Sequence, residues 1–518
     1  MSRFRRIVHG AASGYGVLIA ASIYSLASVP LALHYLSAER YGLWAVMSII
    51  GNYLSQIDLG MSGAVSRMLI DHKDQPQSGD YGSLIKTGWL VSLIQGIIVL
   101  AAGFFLAPII CQLEAIPADL QSEFIALVRW QSLVLALGFV LRIFNQILQA
   151  HQRVDLVNYC QTAMLGLGFV WLTIFFHAGQ GVFSMVWVNL IGLCSTALFL
   201  SWSCFRLKLF PGAGNWGHAS WPYFKELFVY GKDLFLVAVG SQLILSSQVL
   251  IITRVLGLKV ATAWSIATRA FNLISQCIWR IADVSWPAFT EMMVRGEGTR
   301  LRERYKALVV LTASFSGFAA VSFAMCNSLF VTVLTHDKLQ WPVLNDVLLG
   351  VWMIVMGLLH CHNSFVLLTK KIGFMRYVYF VEGIVCVICA FLVAKSGGLP
   401  AIIACSVICS TLFSGAYGVW RIADYFKLSI REVAFGWLAP MARVLGLLVI
   451  PAAGVWWVLR DVREPIIHFT VLVLFSGGLG FYLFLRYGLP TAFQAELMQR
   501  APKRVNPILK RVFQGSFS

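Results

Sequence analysis

The residues of this chain best suited to chemistry sit inside oily stretches. Along "ATAWSIATRAFNLISQCIWRIAD" (261–283), Ser265, Arg269, Asn272, Ser275, Gln276, Arg280 and Asp283 share one arc of a helix turning ~100° per residue. The opposite face is mainly Ala, Ile and Phe. In "GNYLSQIDLG" (51–60), Asn52, Ser55 and Gln56 continue a face begun by Ser48, with Asp58 at its edge. Asn52, Ser55 and Gln56 have identical counterparts 220 positions on, at Asn272, Ser275 and Gln276.

Such residue types bind anions. Guanidinium takes phosphate bidentately, so Arg269, Arg280, Arg254 and His34 would attract a negatively charged substrate, with Asn52, Gln56, Asn272 and Gln276 as hydrogen-bonding neighbours. An arginine at the centre of a bilayer costs at least ~2.5–3.5 kcal/mol, so Arg269 should face water or a partner. Arg280 and Asp283 have the spacing of an i, i+3 pair. For a single Ser or Gln, hydrogen bonding between helices is explanation enough. Acids fit to carry H⁺ or Na⁺ are few: Asp58, Asp283 and Glu382, the last near a span end in "FVEGIVC" and so open to an interfacial reading.

The elements that must position these groups follow from composition. The 518 residues are 58% hydrophobic and only 12% charged, with mean hydropathy +0.76; soluble domains run near 25% charged. Apolar runs long enough to cross a ~30 Å hydrocarbon core recur from end to end. The expected fold is an all-α polytopic membrane protein of about 14 spans, near 11–36, 42–69, 84–112, 123–149, 156–177, 181–205, 229–256, 260–291, 306–333, 343–369, 374–395, 398–424, 436–459 and 466–486, each boundary good to ~3 residues. The N-terminus reads as an uncleaved first span.

Charge orients the spans. About 30 of the 40 Lys and Arg fall on the side of the N-terminus and about 7 on the other, so both termini are expected in the cytoplasm. The net charge of +17 is thus a topology signal and calls for no nucleic acid. The basic tail is expected against anionic headgroups. Six spans separate the two polar stretches, which implies a parallel repeat about an axis along the membrane normal. The expected organisation is a lobe of helices 1–6 (1–228), a pseudo-symmetric lobe of helices 7–12 (229–424), two extra helices 13–14 (425–486) and a basic cytoplasmic tail (487–518). Spans 1, 2, 7 and 8 would line a water-filled central cavity.

Other chemistries find little support. The eleven Cys lie mostly within apolar segments, and "CVIC" (386–389) and "CSVIC" (405–409) lack His or acidic partners for metal or redox work. His360 and His362 in "LLHCHN" point roughly 200° apart on a helix, against one metal site. No Gly-rich phosphate loop, nucleophile elbow or HExxH motif occurs, and no loop is long enough for a catalytic domain. No metal and no cofactor is expected, and no enzyme.

The stretch "LSAERYGLWAVMSIIGNYLSQIDLGMSGAVSRML" (36–69) resembles the opening of polysaccharide transporters of the multidrug/oligosaccharidyl-lipid/polysaccharide superfamily. Tyr-Gly leads into span 2 and Asp-Leu-Gly is followed by a basic residue, Arg67. "ATAWSIATRAFNLISQ" is similar to the corresponding start of span 8, which lacks the Gly of Asp-Leu-Gly. The resemblance implies two six-helix lobes and a flippase that moves undecaprenyl-diphosphate-linked oligosaccharide, for O-antigen, capsule or exopolysaccharide, across the bacterial inner membrane by alternating access. Asp58 and Arg67 carry over by motif, and with Asp283 are candidate coupling or gating residues, the coupling ion being H⁺ or Na⁺. Implied partners are the lipid-linked oligosaccharide, membrane lipids, and a polysaccharide polymerase and export machinery. A lipid II flippase, a multidrug exporter and a membrane-embedded polysaccharide-modifying enzyme remain as alternatives.

Overall fold

Apolar runs of this length have no water to satisfy their backbone groups, so they close their hydrogen bonds internally as helices. A computed structural model of the chain describes residues 3–72, 79–151, 153–283, 285–336, 338–369, 373–459 and 464–491, with a few isolated positions beyond. Among these residues there is no β-strand. The helices run in the order α1 (Arg3–Tyr35), α2 (Ala38–Ser55), α3 (Met61–His72), α4 (Asp80–Leu113), α5 (Gln121–Leu141), α6 (Ile143–Ala150), α7 (Val154–His177), α8 (Phe183–Arg206), α9 (Trp221–Leu256), α10 (Leu258–Asp283), α11 (Trp286–Val294), α12 (Gly298–Thr335), α13 (Val343–Leu368), α14 (Met375–Ser410), α15 (Ala416–Phe426), α16 (Ala439–Leu459) and α17 (Pro465–Leu483).

Every expected span falls on helix, yet 11 helices among the described residues are long and apolar enough to cross a membrane, short of the 14 expected. The shortfall has physical causes. Spans 11 and 12 run together as Met375–Phe426, broken at Gly398 (φ 59°, ψ −150°) in "KSGGLP". Span 2 is not one helix but two short ones. Span 8 is made too polar by the side chains that single it out, and it ends at Asp283 instead of continuing to 291.

The chain divides into two compact units, Met1–Thr262 and Ala263–Ser518. In the first, α1 packs on α7, α9 packs on α2 and α3, and α4 lies closely against α5. Glycines set that last approach: a Cβ on Gly96 would lie 2.8 Å from the Ala136 carbonyl oxygen, and one on Gly103 would overlap the Ser132 side chain. Small residues let helix backbones meet where lipid supplies no hydrophobic drive. In the second unit α12 is central and packs on α13, α16 and α17. An aromatic core of Tyr305, Phe289, Phe365 and Trp437 lies at one end of α12.

Gly96→Leu should force α4 off α5 and destabilise the chain by about 1–3 kcal/mol, read as a lower melting temperature in detergent. Ile97→Leu, on the exposed face beside it, should melt like wild type.

Candidate functional site

The Asp-Leu-Gly motif is a joint. α2 ends at Ser55, residues 56–58 form one tight turn, and Leu59 (φ 52°) and Gly60 (φ 72°) take left-handed backbone before α3 begins. Glycine does this without strain, and leucine at a cost of ~1–2 kcal/mol. The turn swings Asp58 off the face shared by Ser48, Asn52 and Ser55 and sets its carboxylate over the start of α3. There it accepts from the Ser62 backbone N–H (3.2 and 3.3 Å) and the Ser62 hydroxyl (2.6 Å). A negative charge is stabilised at a helix N-terminus.

The same carboxylate holds an arginine. The expected span 4 breaks at Arg142, between α5 and α6, and its Nη1 lies 2.7 Å from Asp58 Oδ1. Arg142 also donates to Gln95 Oε1 and, at 3.4 Å, to the Ser92 hydroxyl. Its guanidinium sits 4.2 Å from the Phe139 ring centroid. Gln95 in turn donates to the Asp58 carbonyl at 3.0 Å. Ser92 and Gln95 are buried, while Asp58 and Arg142 keep side-chain exposures of 22% and 21%. Arg142 borders a cavity of about 400 Å³ within the first unit, lined also by Ser55, Gln131, Phe139, Asn189 and apolar neighbours. Asn189 donates to Gln131 across its wall at 3.4 Å. The arrangement offers a guanidinium, two amides and an aromatic ring, with a carboxylate competing for the guanidinium.

Arg142 heads a polar face with Asn145, Gln146 and Gln149 at i, i+3, i+4 and i+7 in the sequence, which assigns it no role in the site; its pairing with Asp58 needs the fold. The other candidates divide between the two units. In the first unit Asn52 is exposed and Gln56 half-buried at the joint. His34 is exposed, edge-on to Tyr35 at 4.9 Å. Arg254 is exposed and donates to the Gln112 carbonyl at 3.4 Å. Arg67 is on α3, but its side chain lies outside the described residues.

In the second unit α10 stays helical throughout. Asn272, Gln276 and Arg280 are exposed, Arg269 is half-buried and Ser275 is buried. Asp283 is bonded by His360 (2.8 Å), whose ring stacks on Trp279 at 5.1 Å, and Arg280 lies close enough to act on the Asp283 charge. His362 instead meets the Tyr305 hydroxyl at 2.7 Å. No cluster of His, Cys and acids able to hold a metal occurs among the described residues. Glu382 is fully buried within the protein and accepts the Ser414 backbone N–H at 2.9 Å. A widened turn at Thr411–Gly415 is the kind of π-type bulge that frees such an N–H from the helical ladder.

Residues 34–343 match the profile of a family described as polysaccharide biosynthesis protein. The chain belongs to that family. No curated protein matches it. Among solved structures, it is similar to an inward-facing multidrug-resistance MATE transporter of the MOP superfamily (TM-score 0.66, 15% identity, 80% of this chain and 96% of that one). It is also similar to the MATE transporter DinF-BH in complex with R6G (0.58, 14%, 81% and 97%). A third is a MOP-superfamily transporter from Pyrococcus furiosus whose binding pocket is reported to have reverse polarity (0.56, 16%, 82% and 96%). These likenesses show a MATE-like fold. This member of the polysaccharide biosynthesis family is a multi-pass membrane protein with a MATE-like fold.

Asp58→Asn should destabilise the protein by about 2–3 kcal/mol, below the ~3–5 of a fully buried pair because both partners keep some exposure. Arg142→Gln on top should restore part of that loss. An Asp58→Asn variant melting like wild type would show the pair to be idle.

A pH-sensitive carboxyl lies just past the end of α4. Burial pushes the Glu114 carboxyl up to about 7 against the opposing charge of Arg254. Between about pH 4.5 and 7 the folded chain keeps a proton that the unfolded chain has released. Stability should therefore fall as pH rises through that window, by something on the order of 2–3 kcal/mol. Melting curves of Glu114→Gln should be flatter across it.

Proposed function

We propose that this chain flips an undecaprenyl-diphosphate-linked oligosaccharide, the repeat unit of a surface polysaccharide, across a bacterial inner membrane by alternating access. The observation that carries this reading is a polysaccharide-biosynthesis family match in a chain whose helices carry guanidinium groups, at Arg142, Arg269 and Arg280. A diphosphate needs such groups to leave the headgroup region, while its lipid tail stays in hydrocarbon. Both termini are proposed to be cytoplasmic, following the basic loops. Polysaccharide polymerase and export machinery would take the delivered product.

Asp58 and Arg142 give the proposal a coupling step. With Asp58 charged, Arg142 is occupied; a proton or Na⁺ on Asp58 weakens the pair and leaves the guanidinium to bind phosphate. Asp283, bonded by His360, is the corresponding candidate in the second unit, and Arg67 a candidate for gating. Supporting this reading, Arg142 borders a cavity on one side and Asp58 on the other.

A deletion strain should lose surface polysaccharide and accumulate the lipid-linked repeat unit on the inner leaflet; normal polymer with a normal outer-leaflet intermediate would overturn the proposal. In proteoliposomes, Arg142→Gln and Arg269→Ala should each lower transport of that intermediate about tenfold or more at unchanged expression. A proton or Na⁺ gradient should accelerate wild type and leave Asp58→Asn unaffected.

A further inference from the structure

A second polar cavity, lined by none of the residues named above, lies at the end of the two C-terminal helices. α17 finishes in a widened turn, Phe484–Gly488, locked against α12. A Cβ on Gly488 would come within 2.7 Å of Ser314 Cβ, and the Phe484 ring meets those of Phe315 and Phe318 at 5.4 and 6.3 Å. That anchoring sets Arg486 beside the first turn of α16, which carries Pro440 and Arg443. Between them is a cavity of about 370 Å³ with Val310 on its wall and Thr491 and Gln494 at its rim. Gln494 is buried and fixes that rim by donating to the Leu489 carbonyl at 2.8 Å.

The charge of this cavity is unbalanced. Arg486 Nη1 donates to the Tyr482 hydroxyl at 2.7 Å and its guanidinium lies 5.4 Å from the Tyr487 ring centroid. Neither Arg486 nor Arg443 has a carboxylate partner among the described residues. Other arginines of the same unit do: Arg300 pairs with Glu297, Arg302 with Glu432 and Arg421 with Asp424. The N-terminus of α16, a helix of 21 residues, adds partial positive charge at the same place. Tyr482 and Tyr487 are the residue type that settles at the headgroup level.

We propose that this cavity is a binding site for a phosphate-bearing anion, held by Arg443 and Arg486 and supplied by the headgroup of an acidic membrane lipid. Two guanidinium groups and a helix N-terminus match phosphate oxygens in number and charge. The volume suits a phosphoglycerol headgroup, being of small-molecule pocket size. Such a lipid would bridge α16 to the end of α17, joining the two extra helices through a ligand on the side where the basic loops lie.

The test is lipid retention by the purified full-length protein, followed by native mass spectrometry as phosphatidylglycerol or phosphatidylcholine is titrated in. Wild type should bind one phosphatidylglycerol at least tenfold more tightly than phosphatidylcholine, and Arg443→Gln/Arg486→Gln should lose that preference. Arg443→Lys/Arg486→Lys, which keeps the charge, should retain most of it and guards against misfolding of the glutamine variant. In a lipid-free arm, inorganic phosphate should raise the melting temperature of wild type and not of the glutamine variant. If phosphate acts there while phosphatidylglycerol shows no preference, the site is a phosphate site and the lipid source is overturned. Equal phosphatidylglycerol binding by wild type and the glutamine variant, with no effect of phosphate on either, would overturn the site itself.

Discussion

A charge inside a membrane protein must be matched where it stands, and in the first unit that constraint meets at Asp58 and Arg142. The carboxylate is asked to do two things at once, to cap α3 and to neutralise an arginine from the α5–α6 junction. Both depend on the left-handed backbone at Leu59 and Gly60. Were α2 and α3 one helix, Asp58 would point elsewhere and Arg142 would be left uncompensated in low dielectric. Gln95 closes the arrangement by touching both partners, so three helical segments and a joint are fixed by one ion pair.

The second unit handles its buried acids without arginine. Glu382 takes a backbone N–H released by a widened helical turn. Asp346, fully buried, takes the Asn327 amide and the Trp341 indole, each at 2.6 Å. Neutral donors satisfy a carboxylate without adding a second charge to desolvate. Asp283, only half-buried, is bonded by His360.

The helical class, the span positions and the polar face of α10 were legible because each is a local property, hydropathy over ~20 residues or a 3.6-residue period. Asn272, Gln276 and Arg280 fall on one exposed side as that period requires. Asp58 was not legible in this way. Periodicity assumes an unbroken helix, and the residues that break it, Leu59 and Gly60, also redirect the acid. Its partner Arg142 is distant in sequence, and no period links the two. The burial of Glu382 was hidden for a related reason: hydropathy sees where a charge lies along a span but not a bulge on a neighbouring helix that feeds it a hydrogen bond.

The joint has a counterpart worth following. The position 220 residues beyond Gly60 is Arg280, in a helix that runs without interruption to Asp283. Where one stretch uses its glycine to turn between two helices, the other places a charge at the same position and continues as helix. Two segments that share an Asn-Ser-Gln face thus part company just after it, at Asp58, Leu59 and Gly60 against Ile278, Trp279 and Arg280, one bent and pinned by an ion pair, the other unbroken.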